Sequence, residues 1–277
     1  MGWELAALGA ALSVLLMLPV AMKWKLPKRP ALAGAVTATL LAALPFFWIY
    51  PLCGTRWGLA ALVFGQIALA FILALSLMML GFWRDPERVP PEEVGVVLSP
   101  ADGEVLYVRT VDEGSTPLVT KRGRDYLLRE MTGTRPLPSA AYVIGVEMSL
   151  LNLHVNRCPI AGRVALVKHI GGKFMSLRKE EAAFVNERLT TIIENPALAV
   201  VVVQIASRLV RRVESYLSVG ETVSVGQRLG VIKLGSLVAV VLPRREDVVI
   251  EVKPGDRVTA GVSVLARYEV NGERTEH

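Results

Sequence analysis

The residues in this 277-residue chain best suited to chemistry lie in Gly230–Pro243, GVIKLGSLVAVVLP. Two apolar β-type runs, Val231-Ile232 and Leu237–Leu242, flank Lys233-Leu234-Gly235-Ser236. A small Gly-Ser step inside an otherwise continuous strand pattern marks a bend or a close backbone approach. One reading is a glycine bulge with a locally satisfied serine hydroxyl. The other is that the peptide bond between Gly235 and Ser236 is built to break. Metal chemistry has little to work with. Three histidines (His154, His169, His277) and two cysteines (Cys53, Cys158) show no metal-ligand spacing, and a structural zinc site is not expected.

The elements that must position this step follow from composition. Hydrophobic residues make up 52% of the chain and mean hydropathy is +0.45, too apolar for an ordinary soluble domain and indicative of membrane spans. Residues 1–83 carry Lys23, Lys25, Lys28, Arg29 and Arg56 against Glu4 alone, a net of +4. The basic balance therefore sits largely beside the apolar segments, which argues against nucleic acid as partner and for a bilayer with anionic lipid.

Charge-free runs cover Leu5–Met22, Ala31–Thr55 and Trp57–Trp83. Each reaches the roughly 18–20 residues that cross the hydrocarbon as a helix. The first is the shortest, so two to three transmembrane helices are predicted. It carries Glu4 where a signal peptide has a basic start, and it reads as a retained helix. Pro45 should kink or end the second helix and Pro51 fits its exit; Gln66 in the third suits a helix–helix hydrogen bond. Four cations follow the first run, Arg56 alone follows the second, and Arg84 and Arg88 follow the third. The positive-inside rule then predicts an outside N-terminus, a multi-pass anchor over 1–83 and a C-terminal domain over 84–277 on the cytoplasmic side of the inner membrane. Cys53 and Cys158 fall on opposite sides in that topology, which argues against a disulfide.

From Arg84 the pattern changes. Short apolar runs recur at Val94–Leu98, Glu104–Arg109, Tyr142–Met148, Arg163–His169, Ala199–Ile205, Val231–Leu242, Val248–Val252 and Val262–Tyr268, with Gly, Pro, Asp and Asn between them. This predicts a mostly-β, sandwich-like α+β domain. One helix is predicted over Ser176–Leu189, with Ser176 as N-cap. Arg208–Leu217 fits helix or strand. The form G-[ED]-x-V-[ST]-x-G occurs at Gly220–Gly226 and again at Gly255–Gly261. Two copies do not make a solenoid; they fit paired turn–strand units, as also found in lipoyl-type carrier domains. A carrier needs an exposed lysine at a hairpin tip, whereas Lys233 lies in a strand pattern.

Four stretches then line up: Phe82-Trp83-Arg84-Asp85-Pro86-Glu87-Arg88, Leu98-Ser99-Pro100-Ala101-Asp102-Gly103, Asn152-Leu153-His154-Val155-Asn156-Arg157-Cys158-Pro159 and Leu234-Gly235-Ser236. In this order they closely resemble the short-form phosphatidylserine decarboxylase proenzymes of bacteria and archaea. Gly172-Lys173-Phe174, Asn186-Glu187-Arg188 and Val203-Gln204-Ile205-Ala206 extend the likeness over about residues 82–270.

The resemblance implies a self-processing enzyme with a covalent pyruvoyl group made from Ser236. It implies cleavage between Gly235 and Ser236 into chains 1–235 and 236–277 that stay in one fold. Glycine suits the position before the bond because it tolerates a strained backbone. Serine needs a base to become a nucleophile, and the resemblance assigns that service to Asp102 and His154, which with Ser236 form a triad-like set. Taken alone, Asp102 is equally an Asp-Gly turn residue and His154 a packed strand histidine. The longer bacterial form has two histidines three residues apart in this motif. Here the second position is Arg157, which leaves open whether His154 serves maturation, decarboxylation or both. Arg157, Lys173 and Arg188 are the cations available for the substrate's phosphate and carboxylate. The implied substrate is phosphatidylserine in the bilayer, with an ether-linked serine lipid as the related alternative. A membrane-anchored β-rich scaffold or carrier-like module without catalysis is the alternative from another class. The oligomeric state stays open, a homo-oligomer included.

Overall fold

The computed structural model describes residues 2–23, 28–52, 55–112, 119–121, 124–126, 128–133, 140–149, 152–176, 181–207, 213–232 and 236–270. Lys233, Leu234, Gly235, Cys53 and His277 lie outside them, as do residues 208–212. The chain divides into a helical unit, Met1–Arg84, and a β-rich unit built on Asp85–Met148 and Asn152–His277.

The helical unit contains α1 (Gly2–Lys23), α2 (Lys28–Ile49), a 3-10 turn (Tyr50–Leu52) and α3 (Arg56–Trp83). Thr55 caps α3, its hydroxyl accepting the Gly58 N–H at 3.0 Å. Helix α2 continues past Pro45 to Ile49, and Pro51 lies in the turn beyond it. Gln66 donates to the Ala6 carbonyl at 3.2 Å, joining α3 to α1 as its placement in an apolar run predicts. Among the described residues, one helix is long and apolar enough to cross a membrane, Trp57–Leu77; Glu4–Val20 and Ala31–Phe46 are apolar but shorter.

The β-rich unit contains β1 (Val96–Leu98), β2 (Gly103–Val111), β3 (Val119–Lys121), β4 (Arg124–Tyr126), β5 (Ala141–Met148), β6 (Val155–Arg157), β7 (Gly162–Ile170) and β8 (Arg188–Glu194). It continues with β9 (Ala199–Ile205), β10 (Val213–Ser215), β11 (Thr222–Val223), β12 (Arg228–Ile232), β13 (Ser236–Pro243), β14 (Val249–Ile250), β15 (Arg257–Val258) and β16 (Val264–Arg267). Two short helices, α4 (Leu128–Thr132) and α5 (Ala182–Val185), complete the α+β unit. Eight strands form one antiparallel sheet in the order β11-β7-β8-β9-β13-β5-β2-β15, and β10-β12-β6 form a separate small sheet.

Strands β5, β9 and β13 are buried on both faces, which is why they read as continuous apolar runs. Ile144, Val146, Val202, Val238 and Val240 point into one core with Leu229 and Ile232 of the small sheet. Their neighbours Val143, Val201, Val203, Ala239 and Val241 pack on the other face against Met131 of α4 and Phe184 of α5. The two G-[ED]-x-V-[ST]-x-G segments supply β11 and β15, the two edges of the large sheet. All four of their glycines, Gly220, Gly226, Gly255 and Gly261, have φ between 70° and 95°, where a side chain is disfavoured.

The helix predicted over Ser176–Leu189 is corrected. Among the described residues only Ala182–Val185 is helical, and from Arg188 the chain is strand β8. Asn186 stops the helix by donating to the carbonyls of Met175 (2.9 Å) and Ala206 (2.8 Å) while accepting the Met175 N–H (2.8 Å). Beyond it, Thr190-Thr191-Ile192-Ile193 are β-branched and find partners on both sides in β7 and β9. Of Arg208–Leu217, residues Val213–Ser215 form a strand.

Candidate active site

Residue 236 is the first of β13 and pairs in register with Met148, the last of β5. The site forms around this end of the sheet. Strands β6 and β12 pair antiparallel, Val155 opposite Val231 and Arg157 opposite Arg228. Just before β6, the His154 carbonyl accepts the N–H of Ile232 at 3.1 Å. The histidine is thereby tied to the chain four residues before Ser236.

The His154 ring is 1% exposed. Its Nδ1 lies 2.7 Å from the Asn152 carbonyl oxygen, so that nitrogen carries the proton and donates. Burial pushes the pKa down to about 4, against the opposing pulls of the Asn152 carbonyl and the negative charge of Asp102. At neutral pH the ring is therefore uncharged with its lone pair on Nε2, the form that can take a proton from a hydroxyl.

Asp102 closes the Ser99–Asp102 loop, where the Ser99 hydroxyl donates to the Ala101 carbonyl at 2.7 Å. It is more than a turn residue. Its Oδ1 accepts from Arg88 Nη1 (2.6 Å) and from the Ala260 N–H (2.8 Å), and its Oδ2 accepts from Arg88 Nη2 (2.8 Å). Its influence on His154 is through space, as a negative charge. Gly103 beside it is obligatory for space, since a Cβ there would sit 2.2 Å from the Glu147 carbonyl oxygen.

The three cations separate by environment. Arg157 is 4% exposed and donates to Asp85 Oδ1 (2.9 Å), the Pro86 carbonyl (2.9 Å) and the Gly226 carbonyl (3.1 Å). Arg188 is also buried and donates to the carbonyls of Met131 (2.8 Å), Asn186 (2.9 Å) and Glu130 (2.7 Å), and burial lowers its pKa. It ties β8 to α4. Lys173 has an exposed side chain, and its backbone bridges to the α5 end through Val185 and Glu187. His169 is half exposed and pairs with Glu187 at 3.0 Å, a surface contact. Cys158 is buried, with its thiol pushed up to about 12 by desolvation and then Glu221.

Two features escaped the sequence reading. One is the fork of Arg88 on Asp102. The other is a buried amide chain in which Gln204 Nε2 donates to Asn156 Oδ1 (2.7 Å) and Asn156 Nδ2 faces Met148 Sδ (3.8 Å). It ends on Met148, the partner of residue 236, and Gln204 Oε1 is a buried acceptor without a donor among the described residues. The motifs containing Arg88, Asn156 and Gln204 were visible; their mutual reach was not.

A neutral buried histidine, an anchored carboxylate and a strand that begins at a serine are the features that the candidate site presents. The phosphatidylserine decarboxylase family model matches residues 75–266, and this chain belongs to that family. A putative archaetidylserine decarboxylase proenzyme of Methanocaldococcus jannaschii is 42% identical over 195 residues, 70% of this chain and 92% of the relative. Phosphatidylserine decarboxylase proenzymes of Symbiobacterium thermophilum and Carboxydothermus hydrogenoformans are each 36% identical. They align over 221 and 223 residues, covering 79% and 80% of this chain and 93% and 94% of theirs.

Proposed function

We propose that this chain is a self-processing decarboxylase that converts phosphatidylserine to phosphatidylethanolamine. The observation that carries the proposal is His154, held neutral by burial and hydrogen-bonded through its carbonyl to Ile232, on the approach to the Gly235–Ser236 bond.

In the proposed maturation, His154 takes the proton of the Ser236 hydroxyl, and the oxygen attacks the Gly235 carbonyl carbon. The C–N bond breaks as the nitrogen is protonated, leaving an ester. Loss of the Ser236 α-proton and cleavage of the Cβ–O bond release Gly235 as a carboxylate and leave dehydroalanine at 236. Water then replaces the nitrogen, ammonia leaves, and a pyruvoyl group remains. Asp102 favours the charge that develops on His154. The residues fit this group: it would head a strand buried in the core and already paired to Met148, so cleavage leaves β13 in place.

In turnover the pyruvoyl carbonyl supplies the electron sink for loss of carbon dioxide from an amine-bearing substrate. The chain's own part is to position the head group and return a proton at the α-carbon, which we assign to His154. Lys173, the exposed cation of the three, is the proposed contact for phosphate or carboxylate. Arg157 and Arg188 serve through the strands they pin. The three helices are proposed to make a multi-pass anchor with the β-rich unit on the cytoplasmic face, where two-dimensional diffusion raises the effective substrate concentration.

A serine lipid with ether-linked chains is a second substrate reading, favoured by the relative named an archaetidylserine decarboxylase proenzyme. The test is mass spectrometry of the purified protein. Two chains are expected, 1–235 and 236–277, the second lacking an N-terminal amine, with Ser236→Ala remaining whole. A single uncut wild-type chain overturns the proposal. Decarboxylation assays on diacyl and diether phosphoserine lipids then rank the substrates.

A further inference from the structure

Phe82–Arg88 reads in the sequence as a short connection leaving the apolar helices, yet Asp85, Glu87 and Arg88 reach several parts of the β-rich unit to which they belong. Arg157 of β6 and Arg228 of β12 are register partners, and like charges so placed repel. Asp85 lies across both, Oδ1 taking Arg157 Nη2 at 2.9 Å and Oδ2 taking Arg228 Nε, while Glu87 takes Arg228 Nη2 at 2.6 Å. The strap therefore neutralises the small sheet that carries His154 at one end. It then continues to Arg88, whose Nη1 and Nη2 grip the two oxygens of Asp102 and whose Nη1 also donates to the Ala260 carbonyl at 2.7 Å.

We propose that Arg88 is a positioning residue for self-cleavage, acting through Asp102; the inference rests on the self-processing reading above. A planar guanidinium meeting a carboxylate with two parallel bonds fixes its rotation as well as its place. The side chains are 12% and 14% exposed, so solvent screens the pair less than a surface pair. The Asp102 charge is one of the forces favouring protonated His154. That charge helps only if it stays put while the histidine takes the serine proton. Without Arg88, Asp102 keeps one hydrogen bond among the described residues, from the Ala260 N–H, and the carboxylate is free to turn away.

The experiment follows self-cleavage over time in the full-length chain in detergent micelles, by mass spectrometry. The variants are Arg88→Ala, Arg88→Lys, Asp102→Asn and the double variant Arg88→Ala/Asp102→Asn. Arg88→Ala is expected to slow cleavage about tenfold or more, and Arg88→Lys to recover part of the rate through one bond. The double variant should cut no more slowly than Asp102→Asn alone, because one residue acts through the other. A wild-type rate in Arg88→Ala, or effects that multiply in the double variant, overturns the proposal. Should Arg88→Ala not fold, Arg88→Lys carries the same cycle with Asp102→Asn. An uncut wild-type chain refutes self-processing itself, and this inference with it; a wild-type chain that cuts beside an unaffected Arg88→Ala refutes only the role of Arg88.

Discussion

Ile232 donates its backbone N–H to the carbonyl oxygen of His154 at 3.1 Å. That bond ties a buried histidine to the end of strand β12, which in sequence precedes Gly235-Ser236 by two residues, Lys233 and Leu234. It gives the ring a fixed place relative to the chain it is proposed to act on, and it lies in the small sheet that Asp85 and Glu87 hold together.

Self-cleavage should respond to acid through His154. Its pKa of about 4 means the ring is a free base throughout the neutral range. The cleavage rate should be flat from pH 8 to about 5 and fall with a midpoint near 4. A time course of fragment formation against pH measures this, and a midpoint near 6.5 would show that the ring is not buried as described.

The same group makes a stability prediction. The folded pKa lies below the ordinary 6.5, so between the two values the unfolded chain holds a proton that the folded chain does not. The stability from keeping His154 neutral is present above pH 6.5 and is lost as pH falls toward 4, to a total on the order of 3 kcal/mol. Denaturant unfolding of the Ser236→Ala chain at several pH values reads it. His154→Gln should lose that part of the slope.

Gly103→Ala should be severely destabilising. The added Cβ meets the Glu147 carbonyl oxygen at 2.2 Å, and both atoms belong to paired strands that cannot yield cheaply. A loss of about 3 kcal/mol or more is expected by thermal unfolding. Cleavage should slow as well, since the neighbouring residue is Asp102.

The three cations should separate by phenotype. Arg188→Ala removes the side-chain donor from the carbonyls of Glu130, Met131 and Asn186, and Arg157→Ala removes the donor from the Pro86 and Gly226 carbonyls and one of the two arginines on Asp85; each should cost about 3 kcal/mol of stability. Lys173→Ala should leave the unfolding midpoint within about 0.5 kcal/mol and raise KM for the serine lipid. Equal KM effects from all three would return the arginines to the substrate site.

How much was legible depended on the range of the interaction. Ala199–Ile205 was predicted with its bounds unchanged because a strand buried on both faces writes itself as an unbroken apolar run. The repeated Gly turns were legible as turns, because backbone handedness at Gly220 and Gly255 is a local matter. Arg188 and Leu189, the last two residues of the predicted helix, instead open strand β8, because their strand state depends on β7 and β9, which pair with them from elsewhere in the chain.

At the site, residue type and order by themselves determined the chemistry on offer: a serine after glycine, a histidine and an aspartate in recognisable surroundings. Folding alone decided what each group is able to do. Burial made His154 a neutral base, because desolvation penalises its charged form. Ion pairing turned Arg157 from an available cation into a fixed strut and brought Arg88 to Asp102. Those pairings join residues 72 and 14 positions apart, and no local pattern encodes which charge will meet which once the chain has closed around them.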